Sequence, residues 1–403
     1  MDLTTEALGH GARVRDDLPP VPTTTLAALL GCDADQHAVD RALDELVTAS
    51  TGRHPRPGDA RLTTVAHSMG SPATGGVYRV SGTTADGSAW SLFCKLLQHV
   101  RHWPDLRLLP PHVATHFADS FPWRSELELW DPVVQASLPQ GLRSPRLARV
   151  VELPEDRVAV WQEDVGVSDA EWDDARFARA AHLLGRWNAR STATDVLAVS
   201  GFPPGFALRM YAEQAVAARG LVPLRDDGLW GHPWLVAHRD LASRLTALGE
   251  RIPALLDRLD SLTQALPHGD ASPQNLLVPA HDDAELVVID VSFRSPHVVG
   301  FDLGQLLVGL VHADVVPASR MPAIAATIVP AYVEGLAAEG LTTGLETVPE
   351  AFATSALLRS GFDGFLYGEL AHAAPADAPS ASFTQRIEMT RFLVDQFTRT
   401  VDA

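Results

Sequence analysis

The sequence predicts an α+β protein of two lobes, a small antiparallel β lobe carrying one helix and a mainly helical second lobe. Three observations carry this reading. Between residue 61 and about 100, short β-type runs alternate with glycine-containing turns. Beyond Val165, apolar residues recur at helical spacing over long runs. The 403 residues, 46% of them hydrophobic, are enough to fill two such cores. The expected divisions are an N-terminal helical extension over 1–58, a β-rich lobe over 59–162 and a helical lobe over 163–403.

In the extension, Thr23-Thr24-Thr25 caps a short helix over 26–30, and apolar spacing predicts another over 35–47. Thr51-Gly52-Arg53-His54-Pro55-Arg56-Pro57-Gly58 breaks regular structure there. These helices are candidates for a brace packed on the β lobe. Strands are predicted over 61–67, 76–81 and 90–97, with turns at 69–74 and at Ala85-Asp86-Gly87. A proline-interrupted stretch over 103–122 precedes one helix over 123–137, and strands over 146–153 and 157–162 complete the lobe. Amphipathic helices follow over 171–190, 234–248 and 252–266. Two strands over 275–278 and 285–289 interrupt them before further helices, and 373–382 reads as a proline-rich loop.

Composition narrows the function classes. Thirty-two Lys and Arg against 50 Asp and Glu give a net charge of −18, the wrong sign for binding nucleic acid or an anionic membrane. The acidic balance suits a cationic substrate. Two cysteines, Cys32 and Cys94, cannot form a disulfide framework and suggest a reducing compartment. The first residues lack a basic patch followed by an apolar run, and no uninterrupted apolar stretch reaches the ~20 residues of a membrane span. A cytoplasmic protein is expected, with monomer or homodimer left open.

The densest chemistry lies in Leu266-Pro267-His268-Gly269-Asp270-Ala271-Ser272-Pro273-Gln274-Asn275-Leu276-Leu277 and in Leu286-Val287-Val288-Ile289-Asp290. A carboxylate is followed five positions on by an amide, and a second carboxylate ends an apolar strand fifteen positions later. Phosphoryl transfer asks for this inventory: one carboxylate to accept the hydroxyl proton and orient the nucleophile, and oxygen ligands for magnesium. Asp270 suits the first role, Asn275 and Asp290 the second.

A second signal is compositional. The chain holds a single lysine, Lys95, against 31 arginines, an imbalance typical of GC-rich coding sequence. A compact ammonium on a thin stem fits a tight phosphate site that a planar guanidinium does not. Near it, Gly70, Thr74, Gly75 and Gly76 form a small-residue turn whose amides could approach phosphates. It lacks the glycine-lysine-serine of a Walker A loop.

These residues resemble the aminoglycoside phosphotransferase family, a branch of the protein-kinase-like superfamily, over about residues 61 to 372. The resemblance rests on His268-Gly269-Asp270 with Asn275, the strand before Asp290, and Phe301-Asp302-Leu303-Gly304. It implies a two-lobed protein-kinase-like fold, Mg2+ as cofactor, ATP or GTP as phosphate donor, and a small-molecule hydroxyl as acceptor. By the same resemblance His268 and Asp302 brace the catalytic loop, and Gly70 to Gly76 covers the nucleotide. Lys95 contacts the α- and β-phosphates and pairs with Glu126, Glu128 being the fallback. Glu163, Asp164 and Val165 form the hinge to the base. Val291 stands where the family often has tryptophan.

The implied acceptor is an antibiotic or amino sugar, with Asp363, Tyr367 and Glu369 as candidate contacts and Glu388 as a further acidic one. Macrolides, nucleoside antibiotics, choline and sugars remain alternatives, as does a catalytically silent nucleotide-binding protein. His99, His102, His112 and His116 could touch substrate or belong to a lid. A protein kinase is disfavoured because no Ala-Pro-Glu follows Asp290.

Overall fold

The computed structural model describes residues 25–65, 71–108, 111–168, 171–282, 284–291, 293–362, 364–370, 372–374 and 377–401. The described chain divides into two compact units, one of residues 25–130 and 144–167, the other of residues 131–143 and 168–401.

The first unit is built on a five-stranded antiparallel sheet. Its order is Arg61–Thr64, Thr74–Thr83, Ala89–Gln98, Arg157–Glu163 and Leu147–Leu153. Side chains alternate across a strand, so one face takes Leu92, Cys94, Leu96, Ala159 and Trp161 and the other Leu97, Val158 and Val160. The first face is closed by the two N-terminal helices, Leu26–Leu30 and Gln36–Thr51, whose Leu29, Leu30, Leu43, Leu46 and Val47 join the same core. The Trp161 indole donates to the Leu29 carbonyl at 3.0 Å, so even the polar edge of this core is satisfied across the contact. Asp35 caps the second helix through the amides of His37 and Ala38. These helices are therefore core elements of the sheet unit rather than an appendage.

The opposite face meets Trp123, Leu127 and Trp130. A single helix over 123–137 is not formed. A 3-10 turn spans Ser125–Trp130, and a separate helix, Pro132–Ser137, starts behind Asp131, which caps the Val133 amide. Pro132 is the cause, because it fits a first helical turn while forcing Asp131 into extended backbone.

The second unit is mainly helical. Asp174–Arg190, capped by Asp173, packs along Met321–Ala338. The approach is close enough that a Cβ on Gly185 would meet the backbone of Tyr332, and one on Gly335 that of His182. By length and composition Ala318–Ala338 is apolar enough to cross a membrane, and one face, with Ile324, Ile328, Tyr332 and Leu336, is buried here. The predicted helix over 234–248 is two, Pro233–Val236 and Arg239–Gly249, and the one predicted over 252–266 stops at Asp260. Gln264–Ala265 then pairs antiparallel with His297–Val298. Leu286–Val288 runs antiparallel to Leu276–Leu277 and parallel to Leu142–Arg143. Two almost wholly buried helices, Asp302–His312 and Val348–Ser360, lie behind these short strands in sequence.

Candidate active site

The loop from Leu266 to Asn275 is held from behind by one carboxylate. Asp302, 1% exposed, accepts the amides of His268 at 3.1 Å and Gly269 at 2.9 Å, and the Asn188 carboxamide at 2.9 Å. Gly269 sits at φ +87°, and a Cβ there would meet the Phe293 carbonyl at 2.5 Å, so this turn admits only glycine. The His268 Nδ1 accepts the Asp270 amide at 3.2 Å, which makes the ring neutral with its proton on Nε2. Burial holds the His268 pKa below its ordinary value, in agreement. Arg294, fully buried, donates to the carbonyls of Pro267 and Leu266 and lies over the Trp187 ring.

Asp270 is thereby fixed at the loop's turn. The Asn275 carboxamide nitrogen donates to its backbone carbonyl at 2.9 Å and its Oδ2 at 3.1 Å. With both protons used on Asp270, Asn275 keeps Oδ1 as an acceptor. The Ile289 amide donates to the Asn275 carbonyl at 3.0 Å, which ties the loop to the end of the strand Leu286–Val288, just before Asp290. Asp290 takes the left-handed backbone at φ +57°, a conformation that non-glycine residues seldom adopt and that turns the chain sharply after the strand. Burial pushes the Asp270 carboxyl upward; Arg359 pulls it back, and the negative charge of Asp290 adds to the rise. The structure thus brings Asp270, Asn275 and Asp290 together as the sequence predicts.

These residues fit a magnesium ion that arrives with a nucleotide. Two carboxylates repel each other across the loop, and the one amide oxygen beside them is hard and uncharged. Among the described residues no three His, Cys, Asp or Glu side chains converge as a metal cluster. Magnesium commonly takes one or two protein oxygens and completes its shell with phosphates and water.

Arg359, which sequence reading missed, enters from the last turn of Val348–Ser360. Its NH2 lies 3.4 Å from Asp270 Oδ1, and its guanidinium sits 3.7 Å from the Phe293 ring centroid and 4.5 Å from that of Tyr211. From Ala351 to Ser360 all residues of this helix except Arg359 are buried.

In the sheet unit, Lys95 and Glu126 form a buried ion pair at 2.6 Å, the side chains 10% and 7% exposed. Lys95 shares the sheet face of Leu97 and is paired in register with Val160, which directs it to the Ser125–Trp130 turn. Thr74, Gly75 and Gly76 lie in the first residues of a strand, at a bulge, rather than in the turn. Their smallness has a packing cause: a Cβ on Gly75 would meet the Gln98 carboxamide at 2.9 Å, and one on Gly76 the Tyr78 ring at 2.7 Å. Gly70 lies outside the described residues.

At the expected hinge, the Glu163 amide donates to Arg146, and its carboxylate receives the Arg146 amide at 3.1 Å. Asp164 takes the Arg79 guanidinium at 2.7 and 3.1 Å, and Val165 is buried. Both acidic side chains are thus occupied within the sheet unit, so any base contact there falls to the main chain.

The expected acceptor residues are less coherent. Asp363 lies outside the described residues. Glu369 accepts the Ser380 hydroxyl at 2.7 Å, and the Tyr367 ring stacks on Phe365 with its hydroxyl buried. Neither has a contact with Asp270 among the described residues. The His102 ring bonds the Glu155 carbonyl at 2.6 Å, a structural use of that histidine.

No family model matches the chain, and no curated protein matches it. Solved structures of small-molecule phosphotransferases are similar to it. One is an amicoumacin kinase in complex with AMP-PNP, Ca2+ and Ami, 15% identical, covering 87% of this chain and 90% of its own, TM-score 0.46. Another is an aminoglycoside phosphotransferase from Alicyclobacillus acidocaldarius, 16% identical, covering 80% and 88%, TM-score 0.44. A third is an ethanolamine kinase from Plasmodium vivax, 8% identical, covering 92% and 93%, TM-score 0.46.

Proposed function

We propose that the chain is a small-molecule kinase that moves the γ-phosphate of ATP or GTP onto a hydroxyl. The observation that carries this is Asp270, held by Asn275 and by a loop whose amides Asp302 fixes, beside Asp290. In this reading Asp270 accepts a hydrogen bond from the acceptor hydroxyl and aligns its oxygen. That oxygen bonds to the γ-phosphorus, the bond from phosphorus to the β,γ-bridging oxygen breaks, and the nucleoside diphosphate leaves with the bond's electrons. The hydroxyl proton passes to the Asp270 carboxylate.

Asn275 Oδ1 and the Asp290 carboxylate would hold Mg2+, which when bound neutralises charge on the phosphates. Lys95, fixed by Glu126, would contact the α- and β-phosphates from the sheet unit, and the main chain at Asp164 and Val165 would meet the base. Catalysis by this set is positioning and charge complementarity.

Release of ADP or GDP with magnesium, measured across aminoglycosides, macrolides, nucleoside antibiotics, amino sugars, choline and hydroxy acids, tests the reading. Turnover with at least one group, abolished by Asp270→Ala while nucleotide binding stays nearly intact, is expected. Wild-type-like turnover in that variant would remove Asp270 from its role. Nucleotide binding without any release favours a silent nucleotide-binding protein.

A further inference from the structure

From Arg359 we infer that the acceptor carries an oxyanion, a carboxylate or a phosphate ester, close to the hydroxyl it presents to Asp270. The inference rests on the assignment of Asp270 to the acceptor hydroxyl. A guanidinium has five N–H donors in a planar fork. Among the described residues Arg359 has one hydrogen-bond partner, Asp270 Oδ1, at a long 3.4 Å, and its buried Nε has none. The buried arginines Arg294 and Arg386 of this unit serve the fold: Arg294 donates to the carbonyls of Pro267 and Leu266, and Arg386 to that of His312. Among the described residues Arg359 donates to no carbonyl. It is held instead by two aromatic faces, Phe293 and Tyr211, which fix its plane while leaving its donors for something else.

Charge points the same way. Arg219 also lies over the Tyr211 ring, 5.7 Å from its centroid, and donates to the Tyr211 hydroxyl at 3.1 Å. The guanidinium beside the carboxylate that would orient the acceptor is thus Arg359, on the ring that Arg219 also covers. An oxyanion that reaches Arg359 can take N–H donors of the fork, which an ammonium, having no acceptor, cannot. With 16% of its side-chain surface open, Arg359 is within reach of a ligand atom. The acidic net charge of the whole chain, which suggests a cationic acceptor, is a sum over the surface and does not describe this position.

The test uses one sugar ring in four charge states: glucuronate, glucose 6-phosphate, glucose and glucosamine. Binding is read as thermal protection of the full chain loaded with magnesium and a non-hydrolysable ATP analogue, and transfer is read with ATP by mass spectrometry. The wild type is expected to bind an oxyanionic sugar about tenfold or more tightly than glucose, and Arg359→Gln to erase that ratio. Arg359→Lys, which keeps the charge without the fork, should retain part of it. Stronger protection by glucuronate assigns a carboxylate, and by glucose 6-phosphate a phosphate ester.

Preference for glucosamine, no protection by either oxyanionic sugar, a ratio unchanged in Arg359→Gln, or an effect confined to nucleotide affinity overturns the inference. Oxyanion binding lost in Arg359→Gln without transfer to any sugar sustains it and counts against the kinase reading. Transfer that favours glucosamine does the reverse.

Discussion

Replacing Asp302 with alanine removes the acceptor of three hydrogen bonds at once, those from the His268 and Gly269 amides and from the Asn188 carboxamide. The site is 1% exposed, so water cannot take the place of the lost oxygens. Each donor left unpaired in such a place costs about 1–3 kcal/mol. The alanine variant is spared the desolvation of a carboxylate, which offsets part of the cost of the three donors and leaves about 3–5 kcal/mol in all. In a unit of this size that lowers the melting temperature by roughly 6–20 °C.

Asp302→Asn keeps the shape but turns one acceptor into a donor facing an amide, and should fall between alanine and wild type. Thermal and urea unfolding of both variants, with nucleotide-dependent turnover, measure the effect. A melting shift below about 2 °C for Asp302→Ala, corresponding to less than about 1 kcal/mol, would refute the argument that this carboxylate holds the loop.

Lys95→Met strands Glu126 in a buried site and should destabilise the sheet unit by about 3–5 kcal/mol, and the double change with Glu126→Leu should recover most of that in urea unfolding. Deleting residues 1–58 removes Leu29, Leu30, Leu43, Leu46 and Val47 from the sheet core. At about 1.5–3 kcal/mol for each buried side chain, the loss rivals the whole stability of a domain, so limited proteolysis should find that unit unfolded. A truncated chain with an unchanged melting temperature would show the helices to be dispensable.

Asp240 receives both nitrogens of the Arg391 fork, which holds its carboxyl down at about 2. A depressed carboxylate contributes stability above its unfolded pKa, near 4, and loses it as pH falls toward 2. Asp240→Asn should therefore flatten the stability profile between pH 4 and 2, by less than about 1 kcal/mol because the pair is solvent-screened.

The candidate loop was legible in the sequence because its chemistry is local. Asp270, Asn275 and Asp290 lie on one loop and the strand that follows, and a glycine at φ +87° is already implied by Gly269 between two functional residues. Lys95 stood out because it is the one lysine of the chain and lies in a predicted strand, and the family resemblance supplied Glu126 as its partner. At 74–76 the sequence pattern suggests a phosphate turn, and Tyr78 and Gln98 also require small residues at Gly75 and Gly76. A packing contact and a ligand contact leave the same mark in sequence.

What the sequence by itself determined is the two-lobe α+β plan, the main strands of the sheet and the acid and amide inventory, since each follows from periodicity or short spacing. Only the tertiary structure decided that Asn188 reaches Asp302 across 114 positions and that Arg359 reaches Asp270 across 89. It also decided that the N-terminal helices belong to the sheet core. Such contacts depend on which helix faces meet, and that is set by the summed burial of many apolar side chains. No local pattern around Arg359 distinguishes a guanidinium aimed at a carboxylate from one that faces water.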